Sequence, residues 1–418
     1  MYPKFTKEMK STHTILLPDM LPIHFALLKE IFIDRGYRIE CLRNDGSAVV
    51  EEGLRHVQND SCYPALLVVG QFIDALKSGR YDTDHVALMM TQTGGGCRAS
   101  NYINLIRKGI YDEFPNIPVI SLNFSNLEKD PESGFSLKPL DYIRMVYMVY
   151  YGDLLMSLGN QVRPYEEQEG RTDRTIEKWS AILIRRMKKG GLYRMKRTTR
   201  EILEDFRSIP VRKISKIKVG IVGEIYVKYS PLANNHLEDF LKEEGCEAVV
   251  PALMDFVMYA ADATIWNHKN YRTKNSLAGI YKIAYRFMYS MQKKMNRTIR
   301  KYSDFEGFHD FEKLKAAAQK YISEGVVMGE GWLIPAEMAM LIESGTENIV
   351  TCQPFGCLPN HIVSKGMRRV IKRYYPEANI VAIDYDPGAT RVNQENRIKL
   401  MLATAKEEQE KKSAVQRA

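Results

Sequence analysis

No C-x2-C pair occurs in the chain, and its 418 residues carry only six cysteines. The first absence counts against a zinc finger or ribbon and a thioredoxin-like redox motif, the second against a disulfide scaffold. There is no G-x4-G-K-[ST] loop, and the Gly220-x-x-Gly223 spacing is not a dinucleotide fingerprint, so the chain itself is not expected to bind ATP. Long hydrophobic runs are missing too. The most apolar-looking segment, "MVYMVYYGDLLMSL" at 145–158, is rich in tyrosine, interrupted by Asp153 and too short to span a bilayer. The amino end has no apolar stretch of signal-peptide length. These absences together predict a cytoplasmic protein with no membrane partner, whose cysteines are reduced thiols unless a metal holds them.

What is present is an ordinary globular composition, 45% hydrophobic and 27% charged, with a formal net charge of +9. The excess is local. Residues 171–218 hold sixteen Lys or Arg and five acids, a net of +11, while the rest is nearly balanced. A solvated helical face or linker accounts for such a run more simply than a docking surface for an acidic partner. With no recognition module and thin aromatic interleaving, a nucleic-acid partner is not expected.

The apolar pattern divides the chain. "HTILLPDM", the helix-like "LPIHFALLKEIFIDRG" and "YRIECL" are followed by "DHVALMMTQ", the helix "SNYINLIRKG" and "IPVISLNF". Short β-branched runs alternating with helical patterns predict α/β architecture around a parallel sheet. We therefore expect an amino-terminal α/β domain over 1–135 and a basic helical connector over 136–212. A second α/β domain is expected over 213–402, with a helical insertion at 255–325, and a fraying charged tail over 403–418. "GVVMGEGW" reads as the point where the second α/β pattern resumes after the insertion.

Four cysteines share a setting. Cys97 follows "HVALMMTQ" and the turn Gly94, Gly95 and Gly96; Cys352 closes "NIVTC"; Cys357 stands just before Pro359; and Cys62 just before Pro64. Strand carboxyl ends and the helix starts that follow them line one crevice of an open α/β sheet. A helix amino end offers free N–H groups and a positive dipole, so a thiolate there is predicted to have a lowered pKa. Glycines beside Cys97 let backbone approach something bulky and negative. Thiolates far apart in sequence, with no histidine-rich companion, suit an iron–sulfur cluster better than zinc. Burial as small hydrophobes is the competing reading, with a zinc site or one reactive cysteine behind it. Cys41 and Cys246 read as core. Glu224 follows a strand end, Asn234 to His236 read as caps, Glu330 and Trp332 could face the crevice, and His361 could donate to a cluster sulfide.

"NDSCYPALLVVGQ", "TGGGCR", "KVGIVGEIYV", "CQPFGCLPNHI" and "IDYDPGATRVNQENRIKL" together resemble the 2-hydroxyacyl-CoA dehydratase D-component family. The resemblance is to the branch that forms the carboxyl-terminal part of large acyl-CoA dehydratase activases and also occurs as stand-alone chains. It implies two doubly wound, flavodoxin-like or Rossmann-like domains with a cysteine-held [4Fe-4S] or double-cubane cluster between them. Cys62 and Cys97 match the amino-terminal ligands and Cys357 the carboxyl-terminal one, with Cys352 as a fourth. The implied partner is an ATP-dependent iron–sulfur activator of the actin-like/sugar-kinase superfamily, which passes single low-potential electrons. In the dehydratases such an electron makes a ketyl radical from the thioester of a 2-hydroxyacyl-CoA, so that the hydroxyl can leave. The resemblance further implies an oxygen-sensitive dimer. The alternative is a non-catalytic scaffold that binds an acyl-CoA or a partner without redox work.

Overall fold

A computed structural model describes residues 2–58, 60–92, 96–123, 134–271 and 278–417, the side chains of Asn123 and of 412–417 apart. Each half of the chain builds a four-stranded, all-parallel sheet flanked by helices. The first holds β1 (Thr14–Pro18), β2 (Arg38–Leu42), β3 (Val86–Gln92) and β4 (Val119–Asn123) in the order β2-β1-β3-β4. The second holds β5 (Lys218–Gly223), β6 (Glu247–Val249), β7 (Asn348–Pro354) and β8 (Asn379–Tyr385) in the order β6-β5-β7-β8. Ile15 pairs with Ile39 on one side and Ala87 on the other, and Cys352 lies between Gly223 and Ile383. A sheet covered on both faces must be apolar on both, which is why "TILLP", "VALMM" and "KVGIV" show no polar alternation. The doubly wound architecture read from the sequence is thus the one observed.

In both sheets the chain starts in the middle, steps to one side and then crosses to the other. β1 and β3, and likewise β5 and β7, therefore flank a point where the strand order reverses, and their carboxyl ends open a crevice there.

The connector forms helices Pro139–Val162, Arg171–Lys188 and Met195–Arg207, and the insertion forms Leu253–Tyr271, Ala278–Tyr302 and Phe311–Ala318. Although separate in sequence, they share one apolar core, in which Tyr151, Leu183 and Leu203 of the connector meet Met258, Met295 and Phe311 of the insertion. Tyr150 donates from its hydroxyl to the Met288 carbonyl at 2.6 Å, joining the two groups. Some cations of the basic segment pair with its own acids, among them Lys178 with Asp205, Arg186 with Glu201 and Arg200 with Glu204.

Two local expectations need correction. "GVVMGEGW", where the second α/β pattern is expected to resume, forms a turn in which Gly329 and Gly331 both adopt left-handed backbone (φ +61° and +45°). The charged carboxyl end is helical, as part of Arg391–Arg417, in which Ile398, Met401, Leu402 and Ala405 are buried and the residues that follow are good helix formers, Ala, Glu, Gln and Lys. Among the described residues no helix is long and apolar enough to cross a membrane.

Candidate functional site

Helix Tyr63–Lys77 is buried along almost its whole length and packs on helix Ser47–His56 at very short range. A Cβ at Gly70 would stand 2.0 Å from the Val49 carbonyl oxygen, and one at Gly53 would stand 2.4 Å from that of Leu66. Only paired glycines permit this crossing, and it fixes where the helix begins. Cys62 is its extended N-cap residue. Cys97 caps the turn Arg98–Asn101 beyond the carboxyl end of β3, and Cys357 caps the short helix Leu358–Asn360 beyond β7. All three cysteines thus precede helical turns.

The two crevices face each other through backbone. Tyr63 donates its N–H to the Phe355 carbonyl at 2.9 Å, and Phe355 in turn donates to Tyr385 at 2.8 Å. Gly356 takes a left-handed φ of +69°, and a Cβ there would meet the Cys62 Cα and the Ser61 oxygen, both at 3.0 Å. The loop bearing Cys357 is therefore seated on the residue that starts the Cys62 helix. On the other flank, Met328 covers Gly96, whose Cβ would lie 3.0 Å from the methionine methyl, and Gly329 packs against Pro359.

Buried charge gathers around these thiols. Glu224 caps helix Ile225–Tyr229 by accepting from the Val227 N–H at 2.9 Å, while Glu330 accepts from the Ile225 N–H at 3.0 Å. Burial first, and the neighbouring Glu330 second, push the Glu224 carboxyl up to about 8. Burial also raises Glu330. Behind them lies a buried ion pair, Lys228 to Glu337 at 3.0 Å. The thiols are not lowered as their helix-start positions predict. Burial pushes Cys97 up to about 11 and also raises Cys62 and Cys357, with Glu330 and Glu224 adding to the rise of Cys97 and Cys357. The N–H groups of Ala65, Ala99 and Asn360 oppose this, but desolvation is the larger effect. A lone reactive thiolate is therefore disfavoured here, and deprotonation would have to come from a metal displacing the proton.

The electrostatic neighbours show which predicted residues are brought together. Cys97 and Cys357 both feel Cys62, Glu224 and Glu330. Cys352 stands apart: it is fully buried within β7, its thiol faces Tyr385, and burial takes it up to about 12. Its carbonyl rather than its sulfur turns to the site, accepting from the Glu224 N–H at 3.2 Å. His361 is exposed on the turn His361–Lys365. Gly95, like Gly94, lies outside the described residues. Asn234 caps helix Leu237–Glu243, and Trp332 is core, edge-on to Tyr259. Cys246 is buried as expected, whereas Cys41 is only half-buried.

Three residues escaped the sequence reading. The Tyr102 hydroxyl lies 3.2 Å from the Cys62 sulfur. The Tyr259 hydroxyl, against Gly331, and both polar atoms of the Asn360 side chain are buried without a hydrogen-bond partner. Asn360 alone gave a signal, being three residues after Cys357.

Among the described residues no three cysteines bring their sulfurs within 4.8 Å of one another. Four thiolates on a single ion, with bonds of about 2.3 Å, would stand about 3.8 Å apart, so a mononuclear thiolate site does not fit. A multi-iron cluster holds its thiolates further apart, each on a different iron. For that larger anionic group the donor set is suitable: three thiols, helix-start N–H groups and buried polar side chains without partners. Among the described residues the one compact trio of possible metal ligands, Glu52, His56 and Glu113, is already threaded by Lys77, at 2.8 Å from Glu52 and 2.9 Å from Glu113. A concavity of about 580 Å³ lies among Thr14, Arg38 and Val86 at the opposite, amino-terminal end of the first sheet. The chain matches no known family model and no curated protein.

Proposed function

We propose that this chain is an iron–sulfur protein in which Cys62, Cys97 and Cys357 hold one cluster between two α/β domains. It would take low-potential electrons from an ATP-dependent activator and deliver them to an acyl-CoA thioester or another small molecule that is hard to reduce. The observation that carries this reading is the gathering of three N-cap cysteines, from distant segments, around the buried carboxyl groups of Glu224 and Glu330. The sequence motifs that resemble the 2-hydroxyacyl-CoA dehydratase family support it and supply the activator and the thioester.

A bound cluster would supply single-electron chemistry. The residues around it have their own tasks. Cys62, Cys97 and Cys357 would hold the cluster through three thiolates, and a three-cysteine set would suit contact with a substrate better than a closed relay. Cys352 serves the core in this reading. Glu224, with a carboxyl that titrates near neutral pH, is placed to hold or give up a proton beside the cleft. Met328 packs over Gly96 and Gly329 against Pro359, which ties the turn at Gly329 and Gly331 to the segments bearing Cys97 and Cys357.

Anaerobic purification followed by iron and acid-labile sulfide analysis tests the proposal. We expect a brown protein with iron and sulfide in equal amounts. A colourless chain that binds no iron after reconstitution, or that carries stoichiometric zinc, would leave the scaffold reading in its place.

A further inference from the structure

Several buried hydrogen-bond donors near the cysteines have no part in the proposed function. Tyr102 is the first residue of helix Tyr102–Tyr111, is buried, and spends its hydroxyl on the Cys62 sulfur at 3.2 Å. A neutral thiol is a weak acceptor, so in a metal-free chain a buried phenol gains little from this partner. A metal-bound thiolate is a different acceptor, because hydrogen bonds to a charged group are about twice as strong as neutral ones.

The other two cysteines have comparable neighbours. Tyr259 stands within the electrostatic reach of Cys97, and its hydroxyl is buried and unpartnered. Asn360 lies three residues beyond Cys357 in the same short helical turn, and both polar atoms of its side-chain amide are buried without a partner. Tyr102 thus touches one predicted ligand directly, while Tyr259 and Asn360 are uncharged, buried and unpartnered donors in the neighbourhood of the other two.

We infer that Tyr102 is a positioning residue that, together with Tyr259 and Asn360, raises the reduction potential of a cysteine-held iron–sulfur group by donating hydrogen bonds to its sulfurs. The inference rests on the cluster reading above. One electron enters the group on reduction, and no bond to the protein forms or breaks. The added negative charge falls partly on the sulfurs, so their hydrogen bonds strengthen and the reduced state is favoured.

The test is a dithionite titration of the holoprotein under anaerobic conditions with redox mediators, followed by electron paramagnetic resonance. Dithionite is the electron source, and one electron is taken up per group. In Tyr102→Phe we expect unchanged iron content and melting temperature. The equilibrium constant for reduction should fall about tenfold, which is about 59 mV for one electron. Tyr259→Phe and Asn360→Leu should move it in the same direction by smaller factors. Site-specific 3-fluorotyrosine at position 102, a stronger donor, should move it the opposite way. Retained iron with an unmoved potential in Tyr102→Phe overturns the inference and leaves the cluster reading intact. If Tyr102→Phe loses its iron, the fluorotyrosine chain decides, and an unmoved potential there overturns it. A wild-type chain that never holds iron overturns both.

Discussion

At the scale of single residues the cysteines separate into two kinds. Cys62, Cys97 and Cys357 cap helical turns at one cleft, whereas Cys352 is enclosed by sheet and by Tyr385. Replacing any of the first three with Ala should abolish bound iron while leaving the circular dichroism spectrum intact. Cys352→Ala should keep its full iron and lose about 1–2 kcal/mol of stability from the small cavity it leaves. Iron analysis and urea unfolding of the four variants check this. Position relative to strand ends and prolines made the shared setting legible from sequence. It could not show which way Cys352 points, because side chains alternate across a strand and one register step exchanges the faces. A second prediction concerns Asp255, which is buried and has the Gln292 amide as its partner at 3.2 Å. Burial first, then the charges of Glu337 and Asp153, raise its carboxyl well above the ordinary range. Its folded value therefore exceeds its unfolded value of about 3.9, so its stabilising contribution is complete below that and is lost as pH rises through the folded value. Asp255→Asn should reduce the loss of stability between about pH 5 and pH 8, as read from urea midpoints at the two values.

At the scale of elements the site depends on backbone approaches that only glycine allows. Gly356→Ala would place a methyl against the Cys62 Cα and force a left-handed residue to carry a Cβ. The Cys357 loop should move away from the Cys62 helix. We expect an iron content well below half of wild type with a loss of about 1–2 kcal/mol in stability, measured by iron analysis beside thermal unfolding. The strands were readable because a two-sided parallel sheet imposes continuous apolar runs such as "VALMM". The turn at "GVVMGEGW" was not, since its valines imitate a strand and only the left-handed glycines turn Glu330 toward Glu224. Connector and insertion were each legible as helical. Their common core was not, because periodicity shows that a helix has an apolar face and is silent about what covers it.

At the scale of the whole molecule, two sheets of the same strand order turn the ends of β3 and β7 toward each other, and a helical bundle built from two separate stretches braces the pair. Asp153 of the connector shows how the brace works. It accepts from His24 in the first unit at 2.9 Å and from the N–H groups of Leu253 and Met254, where the insertion begins, at 2.8 and 3.0 Å. The repeated α/β order was visible in the sequence, whereas the apposition of its two crevices required coordinates, because no local pattern encodes contact between Phe355 and Tyr63. The central claim is that sulfurs from both halves grip one group of irons. A Mössbauer spectrum of the anaerobic, iron-57-enriched protein, taken with an iron count, tests this most directly. The account predicts about four irons per chain in one cluster, with one iron site distinct from the three that carry thiolates. A spectrum of isolated, uncoupled iron, or a chain that retains none, would contradict it.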